Sequence, residues 1–350
     1  MSGPEVGGAS APCPRRVFNA RWDSTTVKCG DEARMLADTE NIPADTEATF
    51  AVKQISDDSV INTVNSDTQA TSVEGRWISR KPSANWNGAE VKFNVTAGGE
   101  SAVSEGEQLS FHRYADIARA SLTGTVSSPP GSATPNFSWD KKVHIEFTDR
   151  KMILTVKIRL INRTQTRPQK REKDSLEEYN TRCNNVPIGA AVPASVKQNM
   201  KNAIESIYRD QLYLHRVGCG RGNFCGCDLT FKCCKFKVEV IVEFVETSGA
   251  VISDVNLWPA TGRMDSSNWH RIESPATPGS PAGTVWGHEV GHLMGFYDEY
   301  STGAIGNPPW VPESAPSLMG YGHDVFPYHM EEFRTWFNGQ VDEEFRMSEV

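Results

Sequence analysis

The sequence has no run of about 18 apolar residues, so none of its helices is expected to span a membrane. Met1 to Pro14 are small and polar and lack the apolar stretch of a Sec-type signal peptide. Positive charge is not in excess. The formal net charge is -8, which argues against a general nucleic-acid binder because no basic face dominates the field. The one basic run, Arg163 to Lys173, reads as a solvated loop. No internal repeat occurs, which excludes a repeat array. With 38% hydrophobic and 23% charged residues, the composition is that of a soluble globular protein. A chain of 350 residues can form two domains, each with its own core.

Cysteine, by contrast, is plentiful: Cys13, Cys29, Cys183, Cys219, Cys225, Cys227, Cys233 and Cys234. An even, dense set suggests disulfides, which persist in oxidising surroundings. Combined with the missing signal, this predicts a protein exported or extracellular by a route without a Sec signal. The alternative is a cytoplasmic protein with reduced thiols. The cluster from Cys219 to Cys234 contains no C-x-x-C pair, so disulfides involving Cys183 are expected there rather than a second zinc site. Cys13 and Cys29 are expected to pair with each other.

Residues 1–120 read as β-rich. Ala48 to Ile55, Arg76 to Ile78 and Val91 to Val95 are short apolar stretches between Gly, Asn, Asp and Ser turns. Trp22, Trp77 and Trp86 are spaced like core anchors, and the reading is an immunoglobulin-like β-sandwich. Residues 121–139 are rich in Ser, Pro, Gly and Thr and are read as a linker. Residues 140–350 read as an α+β domain. Val143 to Phe147 and Met152 to Ile161 are expected strands. Ser195 and Gln198 have the spacing of a capping box, opening a helix predicted to run to Gly218 with Leu214 on its apolar face. Val238, Val240, Val242 and Phe244 alternate as in a half-buried strand, and Ala250 to Trp258 form the next one.

The chemistry is concentrated in His288-Glu289-Val290-Gly291-His292, followed by Gly295 and Asp298. Two histidines four residues apart on a helix project from one face, so both imidazoles can bind one tetrahedral Zn²⁺. Glu289 sits beside them, placed to take a proton from the metal's water and pass it to a leaving amine. Zinc lowers the pKa of its bound water to about 7, so a nucleophile exists at neutral pH. Thr284 is the expected N-cap and Gly295 the expected stop. The turn after Gly295 returns Asp298 as the third ligand, with Glu299 as its nearest competitor, and leaves the fourth position open.

Together with Ser317-Leu318-Met319-Gly320-Tyr321, the motif resembles that of the metzincins, zinc peptidases with His-Glu-x-x-His-x-x-Gly-x-x-His followed by a methionine turn. The resemblance implies a zinc-dependent endopeptidase acting on a protein or peptide substrate. It implies His288, His292 and Asp298 as metal ligands and Glu289 as general base. Met319 becomes the apolar floor under the metal, and Tyr321 a catalytic group at the metal or oxyanion. Asp298 departs from the histidine found in most of the family. The resemblance also implies that substrate pairs along the segment Gly262 to His270. In a gluzincin the third ligand would be a glutamate on a downstream helix. Glu331 and Glu332 lie on such a helix, but the accompanying aspartate four residues later is missing. Alternative functions are a cell-wall peptide amidase and a zinc-binding adhesion module without catalysis. A β-sandwich joined to such a peptidase also resembles exported bacterial effectors, which implies a cognate immunity or inhibitor protein. His270, His323 and His329 are read as surface or supporting histidines.

Overall fold

The computed structural model describes residues 13–27, 31–79, 90–104, 108–111, 119–127, 138–147, 151–217, 235–273, 280–299, 316–341 and 343–349. The chain is mixed α and β, with strands predominating. It divides into two compact units, Met1–Arg113 with Gly218–Lys235, and Tyr114–Val217 with Phe236–Val350.

In the first unit the strands are β1 (Arg16–Trp22), β2 (Thr26–Val27), β3 (Glu32–Glu40), β4 (Glu47–Gln54), β5 (Val60–Asp67), β6 (Ser72–Ile78), β7 (Glu90–Ala97), β8 (Glu100–Val103) and β9 (Leu109–Phe111). One sheet has the order β1-β3-β6, the other β2-β9-β7-β4-β5 with β8 on β7. Alternation along each strand sends Met35 and Ala37 inward from one sheet, and Phe50, Val52, Phe93 and Val95 from the other. Trp22 meets Phe93 edge-on at 4.9 Å between ring centroids. A Cβ on Gly75 would come within 2.7 Å of the Phe50 ring, so the two sheets touch closely there. Trp22 and Trp77 are buried in this core as expected; Trp86 lies outside the described residues.

The second unit contains β10 (Ala120–Ser127), β11 (Ser138–Phe147), β12 (Lys151–Asn162), α1 (Leu176–Asn184), α2 (Ala194–Tyr208), β13 (Leu212–Arg216), β14 (Lys235–Phe244), β15 (Ile252–Trp258), β16 (Asn268–His270), α3 (Thr284–Met294), α4 (Glu331–Val341) and β17 (Phe345–Glu349). Its sheet runs β10-β11-β12-β14-β13-β17. Strand β12 is long enough to serve two neighbours on one edge. Its first half pairs with β11 and its second half, Lys157 to Asn162, with β15. Strand β16 adds to β15 in parallel. Ile145, Leu154, Val156 and Val242 of the sheet share one core with Met200, Ile204 and Ile207 of α2 and with Val290, Leu293 and Met294 of α3. Helix α3 is thereby wedged against α2, β11 and β12.

Several sequence expectations differ here. Ala120–Ser127, which overlaps the start of the segment 121–139 read as a linker, is a strand paired along its whole length with β11. Its Ser/Thr/Gly composition suits an outer strand with little buried surface. Helix α2 stops at Tyr208, because Asp210 adopts a left-handed conformation with φ 59°. Leu214 therefore lies in β13, a strand of buried residues next to β17. Pro193, not a capping side chain, starts α2; the capping box of this region is Ser175 with Glu178 on α1. Arg163, in the run read as solvated, is buried and donates to Asn256 Oδ1 and to the carbonyls of Asn184 and Val186. Cys13 is exposed and Cys183 buried, and both are free thiols. Neither takes the disulfide expected of it, and Cys183 instead packs with Tyr179, Val186 and Trp258 as a small apolar group. The other six cysteines lie outside the described residues.

Candidate metal centre

Helix α3 begins where the chain passes close against α2. A Cβ on Gly283 would fall 2.4 Å from the Ala203 carbonyl oxygen, and φ there is +95°, so glycine is required. The N-terminal amides are capped from a distance. The Glu273 carboxylate accepts from Gly283 N–H at 2.6 Å and Trp286 N–H at 2.8 Å. An anion at this end also complements the helix dipole. Thr284 is thus the first helical residue rather than the cap, and its hydroxyl donates to the Pro281 carbonyl. Glu273 was missed by sequence reasoning because its partners lie 10 and 13 residues further on, with no local pattern to join them. Gly295, at φ 102°, ends the helix: its N–H donates to His292 O and Phe296 N–H to Gly291 O.

This geometry brings His288, His292 and Asp298 together, with one ligand atom of each lying within 4.8 Å of the others. His288 Nε2 and His292 Nε2 lie 3.0 and 3.1 Å from Asp298 Oδ1. Each ring donates from Nδ1 to a carbonyl, His288 to Leu318 O at 2.8 Å and His292 to Phe296 O at 2.9 Å. Carbonyls only accept, so Nδ1 carries the hydrogen and Nε2 of a neutral ring presents a lone pair. Three acceptor atoms then face one another with no donor between them. A cation at their centre satisfies all three, and Asp298 Oδ1 is buried without a hydrogen-bond partner among the described residues. Two imidazoles and a carboxylate form the donor set suited to zinc.

Glu289 is 4% exposed, and its Oε2 also has no hydrogen-bond partner among the described residues. Burial pushes its carboxyl up to about 8; His288 opposes this, while Asp265 and Asp298 reinforce it. A carboxyl poised near neutrality can both take and return a proton.

The chain from Ser317 to Gly322 forms a tight turn closed by Gly320 N–H and Gly322 N–H on Ser317 O. Met319 is fully buried, with its sulfur against Gly291 between the two histidines. Leu318 O orients His288, and Met319 O accepts from Glu299 N–H at 2.8 Å. Tyr321 follows on the same turn and is 60% exposed. Glu299 points away from the histidine pair; its oxygens accept from Ser317 Oγ, Tyr328 OH and His329 Nε2. Of the two acids after the helix, Asp298 is the one that joins the cluster.

Arg263 and Asp265, in the segment expected to meet substrate, lie near enough to Glu289 to act on its carboxyl. Only Asn268–His270 is a strand, and Asp265 turns back onto Asn268. Arg167, another member of the basic run, donates to Arg263 O and to Asp265, and its guanidinium lies over the Tyr179 ring. Beside it opens a cleft of about 500 Å³ lined by Trp139, Arg167, Tyr179, Asp265, Asn268 and Leu293. Trp139 also packs edge-on against His292. His270 is buried and its carbonyl accepts from Trp286 Nε1; His323 is half-exposed beside Asp324.

No family model matches the chain. No curated protein matches it either. Among solved structures, an alkylpurine DNA glycosylase AlkC of Pseudomonas fluorescens bound to abasic-site DNA aligns at 11% identity over 27% of this chain and 30% of that one, with a TM-score of 0.18. A β-glucuronidase of Bifidobacterium dentium complexed with coumarin-3-O-glucuronide aligns at 10% identity over 67% and 31%, with a TM-score of 0.20. A putative β-galactosidase from Bacteroides fragilis aligns at 8% identity over 55% and 25%, again at 0.20. The chain thus spans about a third or less of these proteins.

Proposed function

We propose that this protein is a zinc-dependent endopeptidase of metzincin type, with Zn²⁺ held by His288, His292 and Asp298. The observation that carries the reading is the convergence of His288 Nε2, His292 Nε2 and Asp298 Oδ1, three acceptors with no donor among the described residues, beside the buried Glu289 Oε2, which has no partner among them either. When bound, zinc supplies Lewis acidity toward a water and toward a peptide carbonyl. Glu289 takes the proton of the attacking water on its carboxylate and delivers it to the departing amine, so one side chain serves as base and then as acid. The Nδ1–H bonds to Leu318 O and Phe296 O keep both imidazole rings turned toward the centre. Tyr321, exposed on the adjacent turn, is the group we assign to the developing oxyanion. Substrate lies along the rim of residues 262–268 and in the cleft beside Trp139. The two sheets of the N-terminal unit suit an immunoglobulin-like sandwich.

A diverse peptide library digested with zinc-loaded wild type and Glu289→Ala tests the reading. Loss of about 10²- to 10⁴-fold in rate is expected for the variant. Equal cleavage by both proteins, or none by wild type, contradicts peptidase activity.

A further inference from the structure

We propose that Glu299 is the positioning residue of this centre, one buried carboxylate that holds the supports of all three metal ligands in register. The proposal rests on the metal-centre reading above. Glu299 is 5% exposed and sits next to Asp298 in the chain. Its Oε2 accepts from Ser317 Oγ at 2.5 Å and Tyr328 OH at 2.9 Å, and its Oε1 accepts from His329 Nε2 at 2.9 Å. His329 Nδ1 in turn accepts from Phe326 N–H at 3.0 Å, which fixes the ring's hydrogen on Nε2.

The bonds to Ser317 and His329 each lead to a ligand. The Glu299 N–H and the Ser317 hydroxyl fasten the turn whose Leu318 carbonyl orients His288. His329 stacks on Phe296, with ring centroids 5.1 Å apart and planes 16° apart, and the Phe296 carbonyl orients His292. Asp298 is the adjacent residue, so the direction of the chain at Glu299 sets where its carboxylate points. A buried carboxylate is tolerated only when donors surround it, and here three converge on its two oxygens. An amide of the same shape would turn an NH₂ group toward one of those donors. The requirement is therefore for the charge and acceptors of Glu299, not for its volume.

The test uses the full chain, stripped of metal and titrated with Co²⁺, whose visible absorption reports the ligand field. Wild type, Glu299→Gln and Tyr328→Phe are compared, with thermal unfolding of each metal-free protein as the measure of fold. Glu299→Gln is expected to remain folded, to bind cobalt about 10- to 100-fold more weakly and to show shifted bands. Tyr328→Phe, which removes one donor, should move both readouts the same way by less. Wild-type affinity and spectrum in both variants overturn the proposal while leaving the metal centre standing. Should Glu299→Gln not fold, an unchanged spectrum in Tyr328→Phe overturns it. A wild type that takes up no cobalt overturns both the centre and the positioning role.

Discussion

The sulfur of Met319 fills the space that a side chain at residue 291 would need, for a Cβ built on Gly291 would lie 2.6 Å from it. The contact joins the middle of helix α3 to the turn that carries Leu318 and Met319. Gly291→Ala must displace the Met319 side chain, or failing that the turn that carries it or the helix. A loss of about 1–3 kcal/mol is expected from overpacking. Thermal unfolding of the variant checks it, and stability equal to wild type would show that the turn yields freely.

The cap on α3 makes a second prediction. Removing the Glu273 carboxylate leaves Gly283 N–H and Trp286 N–H without their acceptor. Glu273→Ala should lower stability by roughly 0.5–2 kcal/mol, the usual range for a lost N-cap. Urea unfolding measures the loss, and faster amide exchange should be confined to the first turn of α3. Uniform exchange across the second unit would point to a different role.

In the first unit, Asp58 lies between two ammonium groups, with Lys53 Nζ and Lys92 Nζ each 2.8 Å from one of its oxygens. Hydrogen bonds from Lys53 and then Lys92 lower its carboxyl from 3.8 to about 2. A depressed acid stabilises the folded state above its unfolded pKa, so the contribution is present above pH 3.8 and is lost as pH falls through about 2. Solvent screening keeps the effect on stability small. An NMR titration of the Asp58 carboxyl should give a midpoint near 2, and Lys53→Met should move it back toward 3.8. A wild-type midpoint already at 3.8 would remove the ion pairs from the account.

What the sequence disclosed about the site was the part written in local geometry. His288, Glu289 and His292 follow from helical spacing, Gly295 from its left-handed cap, and Asp298 from the short return after it. The glycines at 283, 287 and 291 share one face of α3, and their meaning emerges only once Ala203, Ile207 and Met319 lie against that face. Glu273, Glu299, Tyr328 and His329 were not legible as a set, because each acts through partners brought near by the fold. The same limit explains the strands. Leu212–Arg216 has no alternation to separate it from the helix before it, since both of its faces are buried. Ala120–Ser127 has a loop's composition and becomes a strand through its pairing with β11.

Zinc stoichiometry tests the central claim most directly. After dialysis against a weak chelator and then against trace zinc, elemental analysis of wild type should find about one zinc per chain, as three protein ligands around one ion with an open fourth position predict. Asp298→Ala should lose most of that metal under the same conditions. A wild type without zinc, or an Asp298→Ala variant that retains it undiminished, would contradict the account.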